Sequence, residues 1–194
     1  MENLLNKNGI AYYFSKILTG PEADRYFDKL LSSIAWQHDE LILFGKRIIT
    51  KREVAWYGDK GLNYTYSKIT KTARPWTPEL LALKQLVTNT TGASYNSCLL
   101  NLYHDGSEGM AWHADDEKEL LNNGSIASLS LGAERKFLFK HKISQETVSI
   151  MLEQGGLLEM KGEIQDYWLH RLPPVSKVAT ARINLTFRTI VPQL

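Results

Sequence analysis

His113-Ala114-Asp115 and the distant His170 are the residues of this chain best suited to holding a metal ion. In extended backbone, residues i and i+2 project to one side. His113 and Asp115 would then offer an imidazole nitrogen and a carboxylate oxygen to one ion, with His170 closing a third corner from another strand. Two histidines and one carboxylate on one face of an octahedron leave three positions open, the ligand arrangement of non-haem iron(II) oxygenases. An isolated H-x-D is more often a pair of ordinary polar residues. Here it is accompanied by Arg182-Ile183-Asn184-Leu185-Thr186-Phe187-Arg188. Strict alternation places Arg182, Asn184, Thr186 and Arg188 on one face of that strand and Ile183, Leu185 and Phe187 on the other. Such a strand either turns a solvated face outward or lines the mouth of a barrel and holds an anion with guanidinium forks.

Five motifs extend this pattern: Asn101-Leu102-Tyr103-His104-Asp105-Gly106, His113-Ala114-Asp115-Asp116-Glu117, Ser125-Ile126-Ala127-Ser128-Leu129-Ser130-Leu131-Gly132, Trp168-Leu169-His170-Arg171-Leu172-Pro173 and the closing R-x-N-L-T-F-R. Together they resemble the AlkB family of Fe(II)- and 2-oxoglutarate-dependent dioxygenases, from about Phe44 to Ile190. Through Phe44-Gly45-Lys46, Tyr57-Gly58-Asp59 and Tyr64-Thr65-Tyr66-Ser67, the resemblance is closest to the branch that repairs alkylated bases in double-stranded DNA. It implies that His113, Asp115 and His170 bind Fe(II), with 2-oxoglutarate and O2 as cosubstrates. Arg182 matches the position that holds the far carboxylate of 2-oxoglutarate, helped by Asn101 and Tyr103. Arg188 is expected near Asp115 and the metal-side carboxylate, with Asn184 and Thr186 completing the hydrogen bonding.

The implied reaction couples decarboxylation of 2-oxoglutarate, giving succinate and carbon dioxide, to hydroxylation of an N-alkyl group. The unstable hemiaminal then releases formaldehyde and the repaired base. The implied lesions, 1-methyladenine and 3-methylcytosine, are cations damaged on the pairing edge, so flipping them out costs less than flipping a normal base. In the implied pocket, Tyr66 matches the stacking aromatic and His113 its opposite wall. Asp116 or Glu117 balances the positive charge, and Tyr64 and Arg52 line the entrance. Phe44, followed by Gly45, Lys46 and Arg47, reads either as a wedge filling the gap left by a flipped base or as a buried strand residue of a lid.

Positioning these residues requires a barrel. Thr19 with Glu22 three residues later caps a helix through about Ile34, with Tyr26, Phe27, Leu30, Leu31 and Ile34 as one stripe. Thr77-Pro78 opens a second helix whose buried side is Leu80, Leu83, Leu86 and Val87, with Gly92 after its end. The stretch from about 40 to 68 reads as hairpins. Short strands follow at Tyr95 to Tyr103, Ile126 to Leu131, Lys136 to Phe139, Thr147 to Leu152, Gly156 to Met160, Trp168 to His170 and Ala181 to Thr189. Many short strands broken by Gly, Asn and Pro turns argue for a mainly β chain with flanking helices (α+β), a double-stranded β-helix or jelly roll. The expected organisation is a single dioxygenase domain over 1–194. Helices and a nucleotide-recognition lid occupy 1–92, and the catalytic core 93–194.

At 194 residues with 43% hydrophobic and 10% aromatic content, the chain suits one domain and no disordered class. Its formal net charge is only +2, but residues 44–74 hold eight Lys and Arg against one Glu and one Asp. Interleaved with Trp56, Tyr57, Tyr64, Tyr66 and Trp76, they suggest phosphate neutralisation beside stacking surfaces, with a solvated strand face as the competing explanation. A second cluster, Arg135, Lys136, Lys140 and Lys142, is a further candidate for backbone contact. The one cysteine, Cys98, excludes an internal disulfide and reads as a core residue. Trp112 reads as a wall of the site, and His38, His104 and His141 carry no partner pattern.

With no basic segment leading into an apolar run, the expectation is a soluble cytoplasmic monomer without membrane contact, acting on alkylated DNA in double- or single-stranded form. RNA demethylation, and a dioxygenase of the same fold acting on a protein or small molecule, are the alternatives.

Overall fold

The computed structural model describes residues 1–43, 46–66 and 69–191, with side chains outside 39–48 and 64–71. In chain order it contains β1 (Ile10–Phe14), α1 (Gly20–Ser33), β2 (Gln37–Leu43), β3 (Lys46–Gly58), β4 (Asn63–Tyr66), β5 (Ile69–Thr72), β6 (Arg74–Pro75) and α2 (Pro78–Thr91). There follow β7 (Ser97–Tyr103), β8 (Met110–His113), β9 (Ile126–Gly132), β10 (Arg135–His141), β11 (Thr147–Leu152), β12 (Leu157–Lys161), α3 (Ile164–Tyr167), β13 (Trp168–Leu172) and β14 (Arg182–Arg188).

Two sheets face each other as a jelly roll. The major sheet runs β1-β12-β9-β14-β7-β3-β2, with β6 beside β3, and the minor sheet runs β11-β10-β13-β8. β4 and β5 form a separate hairpin. The major sheet draws on both parts of the chain, since β1 pairs with β12 and β3 with β7.

α1 and α2 pack on one face of the major sheet. Glu22 accepts the Thr19 main-chain N–H at 2.9 Å and starts α1, and Thr77 accepts the Leu80 N–H at 3.3 Å at the start of α2. Gly92 ends α2 in the left-handed region at φ 73, where a side chain would be strained. Leu30, Leu80, Leu83 and Val87 bury themselves against Leu100, Leu129, Leu185 and Phe187. The stripe on α1 is narrower than its sequence suggests. Leu31 lies about 100° around the helix from Leu30 and is 41% exposed.

The second core, including Tyr103, Phe137, Phe139, Leu158, Met160 and Leu172, fills the space between the sheets. β14 is buried on both faces. Ile183, Leu185 and Phe187 face the helices, while Arg182, Asn184, Thr186 and Arg188 face the inter-sheet cavity. The solvated outer strand is thereby excluded for this segment.

Candidate active site

Strand register assembles the candidate metal ligands. β13 and β8 are antiparallel with His170 directly opposite His113, and the two rings lie 4.2 Å apart, centroid to centroid. Cross-strand partners share a face, so both imidazoles point into the barrel. Asp115 lies two residues past the end of β8, and one ligand atom from each of His113, Asp115 and His170 comes within 4.8 Å of the others. His113 donates Nδ1–H to the Ala111 carbonyl at 2.8 Å, because a carbonyl only accepts. That fixes the tautomer and leaves Nε2 as its free lone pair.

The surroundings keep these groups in ligand form. His170 is 4% exposed beneath Phe137, whose ring stacks on it at 5.5 Å, and Phe139. Burial pushes its pKa down to about 4 despite the opposing pull of Asp115, so the imidazole is neutral at physiological pH. Asp115 is also buried, which alone would raise its pKa. The Arg188 guanidinium, donating Nη2–H to Oδ1 at 2.6 Å, and the two imidazoles reverse the shift and hold the carboxyl below its ordinary range. Arg188 also approaches Glu117, with Nη1 3.7 Å from Oε1. Burial raises the Glu117 pKa, Arg188 opposing.

Arg182 sits at the other end of the cavity, 2% exposed. Its Nη2 donates to Ser130 Oγ at 2.9 Å and Asn184 Oδ1 at 2.8 Å, and its guanidinium lies 5.7 Å from the Tyr103 ring centroid. Its Nε is buried without an acceptor, and among the described residues no carboxylate comes within ion-pair distance. Burial accordingly lowers its pKa to about 10. Asn184 is held in turn by Ser128, and donates to Thr186 at 2.8 Å. A buried cation with donors to spare needs an anion, and the space between it and the triad supplies room for one.

The other sequence candidates divide. Asn101 and Tyr103 line the same cavity, and Asn101 Oδ1 accepts from Arg52 Nε at 3.1 Å, which brings Arg52 to the cosubstrate end. Asp116 is exposed, whereas Glu117 is half-buried against Arg188. Tyr64 and Tyr66 lie on β4, their side chains outside the described residues, and Phe44 lies outside them altogether. Trp112 does not line the cavity, because it alternates with His113 on β8 and projects from the opposite face of the minor sheet.

Three contributors carried no assignment in the sequence. Ser128 and Ser130 hold Asn184 and Arg182, and their i, i+2 spacing in an otherwise apolar strand was an available signal. Gln165 accepts the Asp115 main-chain N–H at 2.9 Å from short helix α3, where no periodicity marks it. Arg135, grouped with surface lysines, is 1% exposed and donates to the carbonyls of Asp105, Gly106, Glu108 and Pro173. Gly106 is part of that arrangement, since a Cβ there would collide with the Val175 carbonyl. His141 is buried and holds the following turn by accepting the Ser144 N–H at 3.0 Å.

Residues 10–188 match the model of the 2OG-Fe(II) oxygenase superfamily. The chain is 37% identical to DNA oxidative demethylase ALKBH2 of Mus musculus, over 97% of this chain and 83% of that protein. It is 41% identical to alpha-ketoglutarate-dependent dioxygenase alkB homolog 3 of Bos taurus, over 88% of this chain and 63% of that one. The chain belongs to the AlkB family of 2OG-Fe(II) oxygenases. A solved structure described as that of OsALKBH1 shares the fold at TM-score 0.66 and 17% identity, covering 92% of this chain and 96% of that one.

Fe(II), 2-oxoglutarate and O2 are the cofactor and cosubstrates of this AlkB-family chain. Its residues fit them: a His-Asp-His set for the ion, and a buried guanidinium lacking a carboxylate for the far end of the keto acid. No helix among the described residues is long and apolar enough to cross a membrane.

Proposed function

We propose that this chain is an oxidative demethylase that repairs N-alkylated bases in DNA, with 1-methyladenine and 3-methylcytosine as its lesions and duplex DNA as its preferred substrate. The observation that carries the chemistry is the continuous cavity from the triad to Arg182, a buried cation with no carboxylate partner among the described residues. The choice of substrate is supported by relatives named DNA oxidative demethylase and by the cations and aromatics of residues 44–74.

Iron(II), 2-oxoglutarate and dioxygen together supply the oxidation: one oxygen atom ends in succinate as carbon dioxide leaves, and the other ends as a hydroxyl on the N-alkyl carbon. The protein's part is orientation. His113, His170 and Asp115 would hold the ion; His113 would offer the Nε2 left free by its Nδ1–H bond, and Arg188, donating to Asp115 Oδ1, would leave the other carboxylate oxygen available. Arg182 takes the far carboxylate of the keto acid, with Asn101, Tyr103, Asn184 and Thr186 around it. Phe137, Met110 and Leu172 line the same cavity with apolar surface, which strengthens the charge-assisted bonds within it.

The N-terminal part, residues 1–92, contributes the nucleotide-recognition lid. Tyr66 stacks on the flipped base, Tyr64 borders its entrance, Arg52 reaches that entrance from its place beside Asn101, and Asp116 or Glu117 faces the positive charge of the base. Phe44 fills the gap in the duplex while Lys46 and Arg47 hold phosphates. The protein acts as a monomer in the cytoplasm.

The test is anaerobic loading with Fe(II) and 2-oxoglutarate, admission of air, and mass spectrometry of methylated duplex DNA, single-stranded DNA and RNA. Loss of the methyl group fastest from the duplex is expected. Faster loss from RNA would move the substrate assignment, and no loss from any of the three would overturn it.

A further inference from the structure

The outer face of the minor sheet carries side chains that the proposed reaction leaves unused. β8, β10, β11 and β13 contain no Asp or Glu. Within β10, Arg135, Phe137, Phe139 and His141 are buried, so Lys136, Leu138 and Lys140 occupy the opposite side. The register sets Leu138 against Arg171 and Lys136 against Met151, which is 46% exposed. Lys136, Lys140 and Arg171 therefore share one outward face, with Trp112 beside them.

Two of these cations converge on a single indole. Lys140 Nζ and Arg171 Cζ each lie 5.2 Å from the Trp112 ring centroid. Among the described residues neither reaches a carboxylate, and Arg171 Nε is buried without an acceptor. Two charges held around one ring are separated by about 10 Å at most, comparable to the Debye length of about 8 Å in physiological salt, so part of their repulsion survives screening. Cation–π attraction to the indole offsets this only in part. A solvated sheet face ordinarily mixes signs. This one is selectively positive, and a polyanion is the ligand that relieves its repulsion. Two cations of the same stretch are already committed elsewhere: Arg135 to four main-chain carbonyls, and Lys142, through Nζ, to the Gln165 carbonyl at 2.8 Å.

We propose that this face is a second nucleic-acid contact, in which Lys136, Lys140 and Arg171 take backbone phosphates of the substrate outside the segment that enters the active site. The proposal rests on the reading of the substrate as nucleic acid. It concerns phosphates rather than bases, because Trp112 is already engaged by the two cations and has less ring left for stacking. Since Trp112 and Arg171 adjoin His113 and His170 on the same strands, the contact lies one sheet thickness from the metal site, and only a polymer long enough to pass around the sheet spans both.

The experiment compares the unaltered chain with Lys136→Gln/Lys140→Gln, both carrying Mn(II) and 2-oxoglutarate. Anisotropy is measured with a labelled single-stranded oligodeoxynucleotide long enough to wrap the protein. Removing two phosphate contacts should flatten the plot of log affinity against log salt by about 1.4 and weaken binding about tenfold at low salt. Turnover of a methylated pentanucleotide should stay unchanged, and Lys136→Arg/Lys140→Arg should restore long-strand binding. An unchanged salt slope with intact binding overturns the outer contact alone. Equal losses on the long strand and the pentanucleotide also overturn it, because the defect then lies in the active site. Failure of the unaltered chain to bind or demethylate any nucleic acid removes the substrate reading, and the outer contact with it.

Discussion

Arg182→Lys keeps the charge and removes the fork, and so separates the two roles of the guanidinium. In the folded chain Arg182 spends Nη2 on Ser130 and Asn184, while Nε is buried with no acceptor. A lysine can supply one ammonium to a carboxylate but cannot hold that pair and make a second parallel bond to the ligand. The expected loss is one hydrogen bond to a charged group, about 1.5–3 kcal/mol, or roughly 10- to 150-fold in 2-oxoglutarate affinity. Thermal denaturation with Mn(II) in place of iron reads this directly. Ligand at about 100 times Kd stabilises the unaltered protein by about 2.7 kcal/mol, and a thirtyfold weaker Kd reduces that to about 0.9 kcal/mol. Arg182→Met should abolish the ligand-induced shift while leaving the ligand-free midpoint equal or higher, because it removes a buried cation that no carboxylate among the described residues neutralises. An Arg182→Lys shift as large as that of the unaltered protein would refute the assignment.

Changing His113, Asp115 or His170 to Ala should abolish demethylation and the visible absorption of a Co(II)-substituted site while the circular dichroism is kept; full turnover by Asp115→Ala would remove it from the ligand set. The metal-free protein should lose stability as pH falls from about 6.5 to about 4. The folded His170 pKa lies below the unfolded one, so the unfolded state binds more protons in that window and gains on acidification. His170→Gln should flatten that part of a pH–melting profile. Gln165→Ala should weaken Co(II) binding severalfold with little change in melting temperature, since Gln165 reaches the metal only through the Asp115 N–H. Phe44→Ala should lower repair of a methylated duplex well below repair of the same lesion in a single strand; equal losses, or a large drop in melting temperature, would return Phe44 to the lid's core.

The jelly roll and the residues lining its cavity were legible because alternation carries them. β14 is polar and apolar by turns, and its parity alone separates Arg182 and Arg188 from Phe187. The triad needed more than parity. Asp115 lies past the end of β8, and the closeness of His113 to His170 is a matter of register between strands joined by a long connection, which local sequence does not encode. β1 escaped the list of strands because Ile10-Ala11-Tyr12-Tyr13-Phe14 does not alternate polar with apolar, and β8 and α3 because four residues give no period. Gln165 was hidden for the same reason.

Arg135 and Arg182 mark where sequence reading stops and acceptor accounting begins. Parity in β10 already groups Arg135 with Phe137 and Phe139 on the buried side and Lys136 with Lys140 on the other, so its burial could have been read. Its role could not. Both arginines are 1–2% exposed, and neither has a carboxylate partner among the described residues. Arg135 is nonetheless engaged by four carbonyls from the segment around 105–108 and from Pro173, contacts that arise only once the barrel closes. Nε is buried without an acceptor in both, so the terminal nitrogens make the difference: Arg182 has two side-chain oxygens, both on Nη2. A buried guanidinium whose two terminal nitrogens are both engaged by main chain ties loops together, whereas one bonded through a single terminal nitrogen at a cavity wall is built for an anion that comes and goes.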